Sequence, residues 1–214
     1  MTDHIKVSTR EEAGVSVEAV YTLFQEAFRQ WTEHGIEAAF LHYTLESFKR
    51  SIHNAIVFVA VDTETGELLG THTLQPNRKK NYVHDCFLAV SPKAKHTGIA
   101  TRMLQVEEEY ICKEGYNYLR CITSVHAYWS VNWHRKMGYR IIGYRRFPGN
   151  NYDDYIYRKQ LTPSLFWSGP LAPVTAYLHF LVPYTFTRLC KTSSGELNLL
   201  GKMAKKVVWT IKRK

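Results

Sequence analysis

The four cysteines of this 214-residue chain include no CxxC pair, so neither a cysteine-based metal site nor a dithiol redox centre is written into the sequence. Cys86, Cys112 and Cys121 fall in apolar runs and are expected as buried, reduced thiols. An unbroken apolar stretch able to cross a bilayer, about 20 residues, is also missing. The most apolar segment, 164–186, is interrupted by Pro170, Pro173, His179 and Pro183. The opening MTDHIKVSTREEAG has no apolar core behind a basic head, which sets a cytoplasmic location as the expectation. Internal repeats and low-complexity linkers are absent, and the length fits one α/β domain of roughly 150–200 residues with an appendage. Hydrophobic residues at 45% and charged residues at 22% are enough for a core that needs no disulfide. Acids are scarce in one place. From Thr162 onward eight Lys and Arg face the single Glu196, so about +7 of the net +9 lies there. The rest of the chain is almost neutral, and no recognised DNA or RNA module accompanies the charge.

What is present reads as alternating strands and helices. Ile5 and Val7 suggest a short strand. Val15–Trp31 places apolar residues at helical spacing, and Thr44–Ile52 reads as a shorter helix with Thr44 as its N-cap. Ala55–Val61 is a β-branched run answered by Glu67–Leu74 across the turn Thr63–Gly66. Tyr82–Val90 is a strand, Gly98–Cys112 a helix, Asn117–Val125 a strand and Tyr128–Met137 a helix. A last pair, Tyr139–Phe147 and Tyr152–Tyr157, meets at the turn Pro148-Gly149-Asn150. A hairpin meander followed by a βαβ crossover predicts an α/β fold with a mixed sheet and helices packed upon it.

The segment Leu88–Leu104, LAVSPKAKHTGIATRML, carries the chemistry. A strand ends at Val90, a loop with Pro92 and Lys95 follows, and Gly98 opens a helix. Free amides of such a loop and first helical turn converge where the helix dipole favours an anion, which suits a diphosphate. Gly98 and the small Ala100 permit close approach, and Lys93, Lys95 and Arg102 add positive charge.

Two motifs resemble the GNAT superfamily of acyl-CoA-dependent N-acyltransferases. The superfamily's loop, Gln/Arg-x-x-Gly-x-Gly/Ala, is matched by Lys95-His96-Thr97-Gly98-Ile99-Ala100, with Lys replacing the usual Gln or Arg. Its Ala-x-x-Leu-Tyr-x-Lys-x-Gly-Phe is approximated by Ser130–Tyr139, where Lys136, Gly138 and Tyr139 keep register. The resemblance covers roughly residues 4–160. It implies a mostly antiparallel sheet with a central, splayed parallel strand pair, flanking helices, and a domain over 1–162 followed by a C-terminal extension over 163–214. It implies acetyl-CoA as co-substrate, with pantetheine along Phe87, Leu88, Ala89 and Val90. The pyrophosphate would sit on the amides of Lys95, His96, Thr97, Gly98, Ile99, Ala100 and Thr101. No metal is implied.

The resemblance also marks two histidines. His134 stands where the superfamily usually has a tyrosine acid, so it either protonates the leaving thiolate or fills the tyrosine's space. His84 stands where some members carry a glutamate base, so it either deprotonates the amine, directly or through water, or is a satisfied half-buried histidine. Cys86 as an acyl-carrying nucleophile would need a base on its own face, and only His84 offers one. Trp31, His34, Phe40, His42, Tyr43, His126, Tyr128 and Trp129 are candidates for the acceptor wall, or for core. The expected activity is acetyl transfer to a primary amine of a small molecule or sugar. The alternatives are a longer-chain N-acyltransferase at a membrane surface and a CoA-binding regulator without catalysis. Residues 196–214 alternate Leu197, Leu200, Ala204, Val207, Val208 and Ile211 with lysines. That is a basic amphipathic helix, either packed on the domain or lying peripherally on the inner face of an anionic membrane.

Overall fold

In the computed structural model, which describes residues 4–146 and 151–211 except the side chains of 206–211, β-branched runs become strands and apolar stripes become buried helix faces. The order is β1 (Ile5–Thr9), α1 (Val17–Glu33), α2 (Leu45–Ile52), β2 (Ile56–Asp62), β3 (Leu68–Asn77) and β4 (Tyr82–Val90). Then come α3 (Ile99–Lys113), β5 (Tyr118–Ser124), α4 (Tyr128–Lys136), β6 (Arg140–Arg146), β7 (Asp153–Gln160), α5 (Ala172–Cys190) and α6 (Leu199–Ile211). The seven strands form one mixed, mostly antiparallel sheet in the order β1-β2-β3-β4-β5-β7-β6, with β4 and β5 parallel. The chain divides into two compact units. One holds Met1–Gly35, Phe40–Cys121 and Lys159–Thr162; the other holds Ile36–Ala39, Ile122–Arg158 and Pro163–Lys214.

Local chemistry explains the boundaries. Ser16 caps α1 by accepting from the Ala19 amide at 3.1 Å, and Thr44 caps α2 by accepting from Ser47 at 3.2 Å. Val20, Leu23, Phe24, Ala27, Phe28 and Trp31 form the buried stripe of α1. Asp62 accepts from the amides of Glu64 and Thr65 to close the β2–β3 turn. The turn expected at residues 148–150 lies outside the described residues. Cys121 and Cys190 are buried and Cys86 is half-buried, but Cys112 is exposed, because the last turn of α3 presents it away from the stripe that α3 buries.

Two features of β3 and β4 set the geometry at the centre of the sheet. Thr71 faces Ala89 but Thr73 faces Cys86, so β4 carries one extra residue, a bulge at Phe87 and Leu88 opposite His72. Phe87 adopts φ +55°, the left-handed region. On β3, the buried His72 meets the fully buried Glu107 of α3, Nδ1 to Oε2 at 2.6 Å. Burial works against the His72 imidazolium, but the Glu107 carboxylate and its hydrogen bond, with Asp85 beside them, outweigh it and raise His72 above its ordinary value.

Pro183, one of the interruptions of the apolar run, lies inside a helix. α5 runs unbroken for 19 residues. Pro173 sits in its first turn, where a missing N–H costs nothing, and Pro183 forfeits only the bond to the carbonyl one turn back while α5 packs along β6. Among the described residues no helix is long and apolar enough to cross a membrane.

The His72–Glu107 pair gives a pH-dependent expectation. A raised histidine contributes stability that is full below its unfolded value of about 6.5 and is lost as pH rises through the higher folded value. Glu107→Gln is therefore expected to cost about 3 kcal/mol in urea unfolding near pH 6. The gap from the unaltered protein should narrow toward pH 9, and a gap that is flat across that range would show that the pair is not ionic.

Candidate active site

The loop after β4 is shaped by two left-handed residues. Pro92–Ala94 makes a 3-10 turn, His96 adopts φ +65°, and Gly98 caps α3 at φ +86°. The first bond inside α3 runs from the Arg102 amide to the Gly98 carbonyl at 3.0 Å. The amides of Ile99, Ala100 and Thr101 therefore have no carbonyl one turn back, and they stand at the positive end of the helix dipole. Lys95, His96, Thr97 and Gly98 are all exposed, whereas Ile99 is buried and Ala100 and Thr101 are half-buried. A Cβ built on Gly98 meets nothing within 4 Å. The space at Gly98 is thus open, and the position is closed to most other residues by φ alone.

The loop's cations have partners within the protein. Lys93 pairs with Glu67 at 3.0 Å, and Lys95 donates to Oε1 of Gln30 on α1 at 2.8 Å. Thr97 donates to the Ala94 carbonyl at 2.6 Å and holds the loop closed. An anion at this turn would therefore be met mainly by its backbone. Sequence reasoning missed Gly70 on β3. A Cβ there would lie 2.8 Å from Sδ of Met103 and 3.1 Å from Cγ2 of Ile99, so this glycine lets the first turns of α3 seat directly on the sheet.

β4 supplies the second part. Its parallel ladder with β5 covers Tyr82, Val83 and His84 against Tyr118, Leu119 and Arg120, while β4 itself runs on to Val90. His84 is the last residue of that ladder, half-buried, with Nδ1 2.7 Å from the Arg120 carbonyl. A carbonyl only accepts, so Nδ1 carries the proton and the neutral ring's lone pair is on Nε2. Past the bulge, the Phe87 ring lies against Phe24, Phe40, Tyr43 and Phe48, with centroids 5.3–6.3 Å apart. Trp31 and Phe40 join this cluster, which accounts for them as core. His34, His42, His126 and Tyr128 are exposed and Tyr43 and Trp129 half-buried. Burial, then Asp85, pushes the Cys86 thiol far above the ordinary cysteine range, which disfavours it as a nucleophile.

His84, Phe87–Val90 and Lys95–Thr101 belong to the first unit; His134 belongs to the second. His134 is buried, stacked on Tyr157 at 5.1 Å and edge-on to Trp133 and Tyr139. Its Nδ1 donates to the Ser130 carbonyl at 2.7 Å, so this ring too has its neutral lone pair on Nε2.

The family model described as acetyltransferase (GNAT) family matches residues 17–139. No curated protein matches the sequence. Many solved structures share the fold. The ribosomal-protein-S18-alanine N-acetyltransferase of Escherichia coli is 14% identical with a TM-score of 0.60, over 75% of this chain and 96% of that one. A GNAT family acetyltransferase from Elizabethkingia anophelis, solved with acetyl-CoA bound, is 16% identical with a TM-score of 0.57, over 74% and 99%. An N-acetyltransferase from Staphylococcus aureus Mu50 is 20% identical with a TM-score of 0.55, over 74% and 98%.

The geometry separates backbone from side-chain binding. Gly98→Ala forces a methyl group into left-handed backbone, at a cost of about 1 kcal/mol in folding stability, and into the space a phosphate would take. Calorimetric titration with coenzyme A is expected to show affinity at least about tenfold weaker for Gly98→Ala, against less than about threefold for Lys95→Ala. The reverse order would assign the binding to the lysine.

Proposed function

Since the chain belongs to the acetyltransferase (GNAT) family, we propose that it transfers an acetyl group from acetyl-CoA to a primary amine of a small molecule or sugar, by direct attack in a ternary complex. The observation that carries this reading is the turn at Gly98, with exposed backbone at a helix start and open space before it. Acetyl-CoA would supply the acetyl group as a thioester and leave as the thiol. The amides of Lys95–Thr101 hold the diphosphate, and the β4 backbone over Phe87–Val90 orients the pantetheine arm.

The amine must attack as its neutral form. His84 takes that proton at Nε2, the nitrogen left basic by the bond from Nδ1 to the Arg120 carbonyl. His134 returns a proton to the leaving sulfur from Nε2, and it therefore acts as the doubly protonated ring, since Nδ1–H is committed to Ser130. The proton lost by nitrogen and the proton gained by sulfur balance over the cycle.

Free-thiol release from acetyl-CoA with a panel of primary amines tests the activity. Release only with amine present is expected; binding of coenzyme A without any release would leave a non-catalytic regulator, and preference for long acyl-CoA would replace acetyl as the group transferred. His84→Gln is expected to lower kcat/KM by about a hundredfold. His134→Phe, which keeps the packing against Tyr157, is expected to lower kcat more than it changes KM. An unchanged rate for His134→Phe across pH 6–9 would reduce that histidine to a packing residue.

A further inference from the structure

α5 is amphipathic in the reversed sense. The side chains it buries fully are small or polar, Ala172, Ala176, Thr187 and Cys190, with the Phe180 and Tyr184 rings beside them against Tyr144 of β6. The side chains it presents to solvent are large, with Val174, Leu178, Leu181, Val182 and Leu189 between 40% and 72% exposed. α6 adds Leu199, Leu200 and Met203, each more than half exposed. So many large apolar side chains left in solvent on neighbouring helices mark a site of contact with something else.

The scaffold beneath it is fixed. α5 and α6 form a hairpin in which Lys191 bridges to Leu197 and Asn198 donates to the Leu189 carbonyl at 2.7 Å. Gly201 lies so close that a Cβ would stand 2.4 Å from the Cys190 carbonyl oxygen. Arg146 of β6 donates to the Thr192 carbonyl at 2.9 Å, and Lys191 donates to the Arg146 carbonyl at 2.7 Å. The apolar face is therefore carried by tied helices rather than by a loose tail.

Charge identifies the partner. Residues 163–187 contain no Asp, Glu, Lys or Arg, and beyond them the exposed Arg188, Lys202 and Lys205 stand with one acid, Glu196. An apolar surface edged by cations complements an anionic lipid surface, with acyl chains at its centre and phosphates at its rim. A second copy fits less well, because an isologous contact would bring two net-positive rims into one interface. Spanning is excluded for the described helices by their length and hydropathy.

We infer that the exposed face of the α5–α6 hairpin docks in the plane of an anionic membrane, sinking the large side chains of α5 to the acyl boundary and setting Arg188, Lys202 and Lys205 at the headgroups. This concerns a surface that needs no acetyl donor, so it stands or falls independently of acyl transfer.

The test is flotation of the full-length protein with vesicles of phosphatidylcholine alone, or with about one third phosphatidylglycerol, at low and high salt. Binding to the anionic vesicles, weakened by salt, is expected. Leu178→Glu/Val182→Glu should reduce binding at least about tenfold on both vesicle types, and Lys202→Glu/Lys205→Glu should reduce it about tenfold on the anionic ones alone. All four positions are exposed, so both variants should keep the parent melting temperature; the lysine pair is a second lever that leaves α5 untouched. No flotation at low salt, or flotation indifferent to both variants, overturns the proposal. So does light scattering that shows a lipid-free dimer abolished by Leu178→Glu/Val182→Glu, which would give the face to a second copy.

Discussion

One backbone constraint organises the first compact unit: β4 carries a residue more than β3 can pair, and the excess is taken up at Phe87. A non-glycine residue held in the left-handed region costs about 1 kcal/mol and persists only where its surroundings hold it. Here they do so from two directions. The Phe87 ring is gripped by Phe24, Phe40, Tyr43 and Phe48, and on the partner strand His72, opposite the bulge, is pinned to Glu107 of α3. The same helix begins at Gly98. The bulge, the buried pair and the turn at Gly98 are thus mechanically one assembly, and Gly70 makes it tight by letting Ile99 and Met103 meet the sheet without an intervening methyl group.

That assembly explains why the loop needs little charge of its own. Lys93 and Lys95 spend their donors on Glu67 and Gln30, and exposed pairs of this sort contribute little to stability. Their effect is to set the loop's shape. Aligned amides at a helix start are fixed in place before a ligand arrives, whereas a flexible lysine would lose rotamer freedom on binding. The replacement of the superfamily's usual Gln or Arg by Lys95 is therefore chemically mild, since what the position contributes is a contact to α1.

The elements are legible in the sequence where one signal dominates. Tyr82–Val90 matches β4 residue for residue, and Thr44 is recognisable as the cap of α2, because alternation and capping are local. The two spaced motifs carry the fold class. What stays hidden is non-local. Phe87 sits in an uninterrupted strand pattern, and nothing in its neighbours announces a bulge. His72 and Glu107 are 35 residues apart and become a pair only when α3 lies on β3. Cys112 shares an apolar run with Ile111 yet faces solvent, since the helical period rather than the run decides burial. His84 and His134 stand out by position alone; the carbonyls of Arg120 and Ser130, which decide the tautomer of each ring, are not visible from the chain.

α5 shows the same limit at larger scale. Its prolines interrupt an apolar run, but proline counts against a helix only through the hydrogen bond and the space it removes, and both losses are local. The deeper ambiguity is directional. Periodicity states which residues share a face and is silent on which face meets protein. Here Ala172 and Ala176 face inward, allowing α5 to lie close to β6, with Phe180 and Tyr184 against Tyr144, while Val174, Leu178, Leu181, Val182 and Leu189 are left outside. Each of those forgoes about 1.5–3 kcal/mol that burial would have contributed. Small residues against the sheet and large ones outward are the arrangement that the proposed contact with an anionic lipid surface would use, with the predominantly cationic surroundings of the hairpin at its edge.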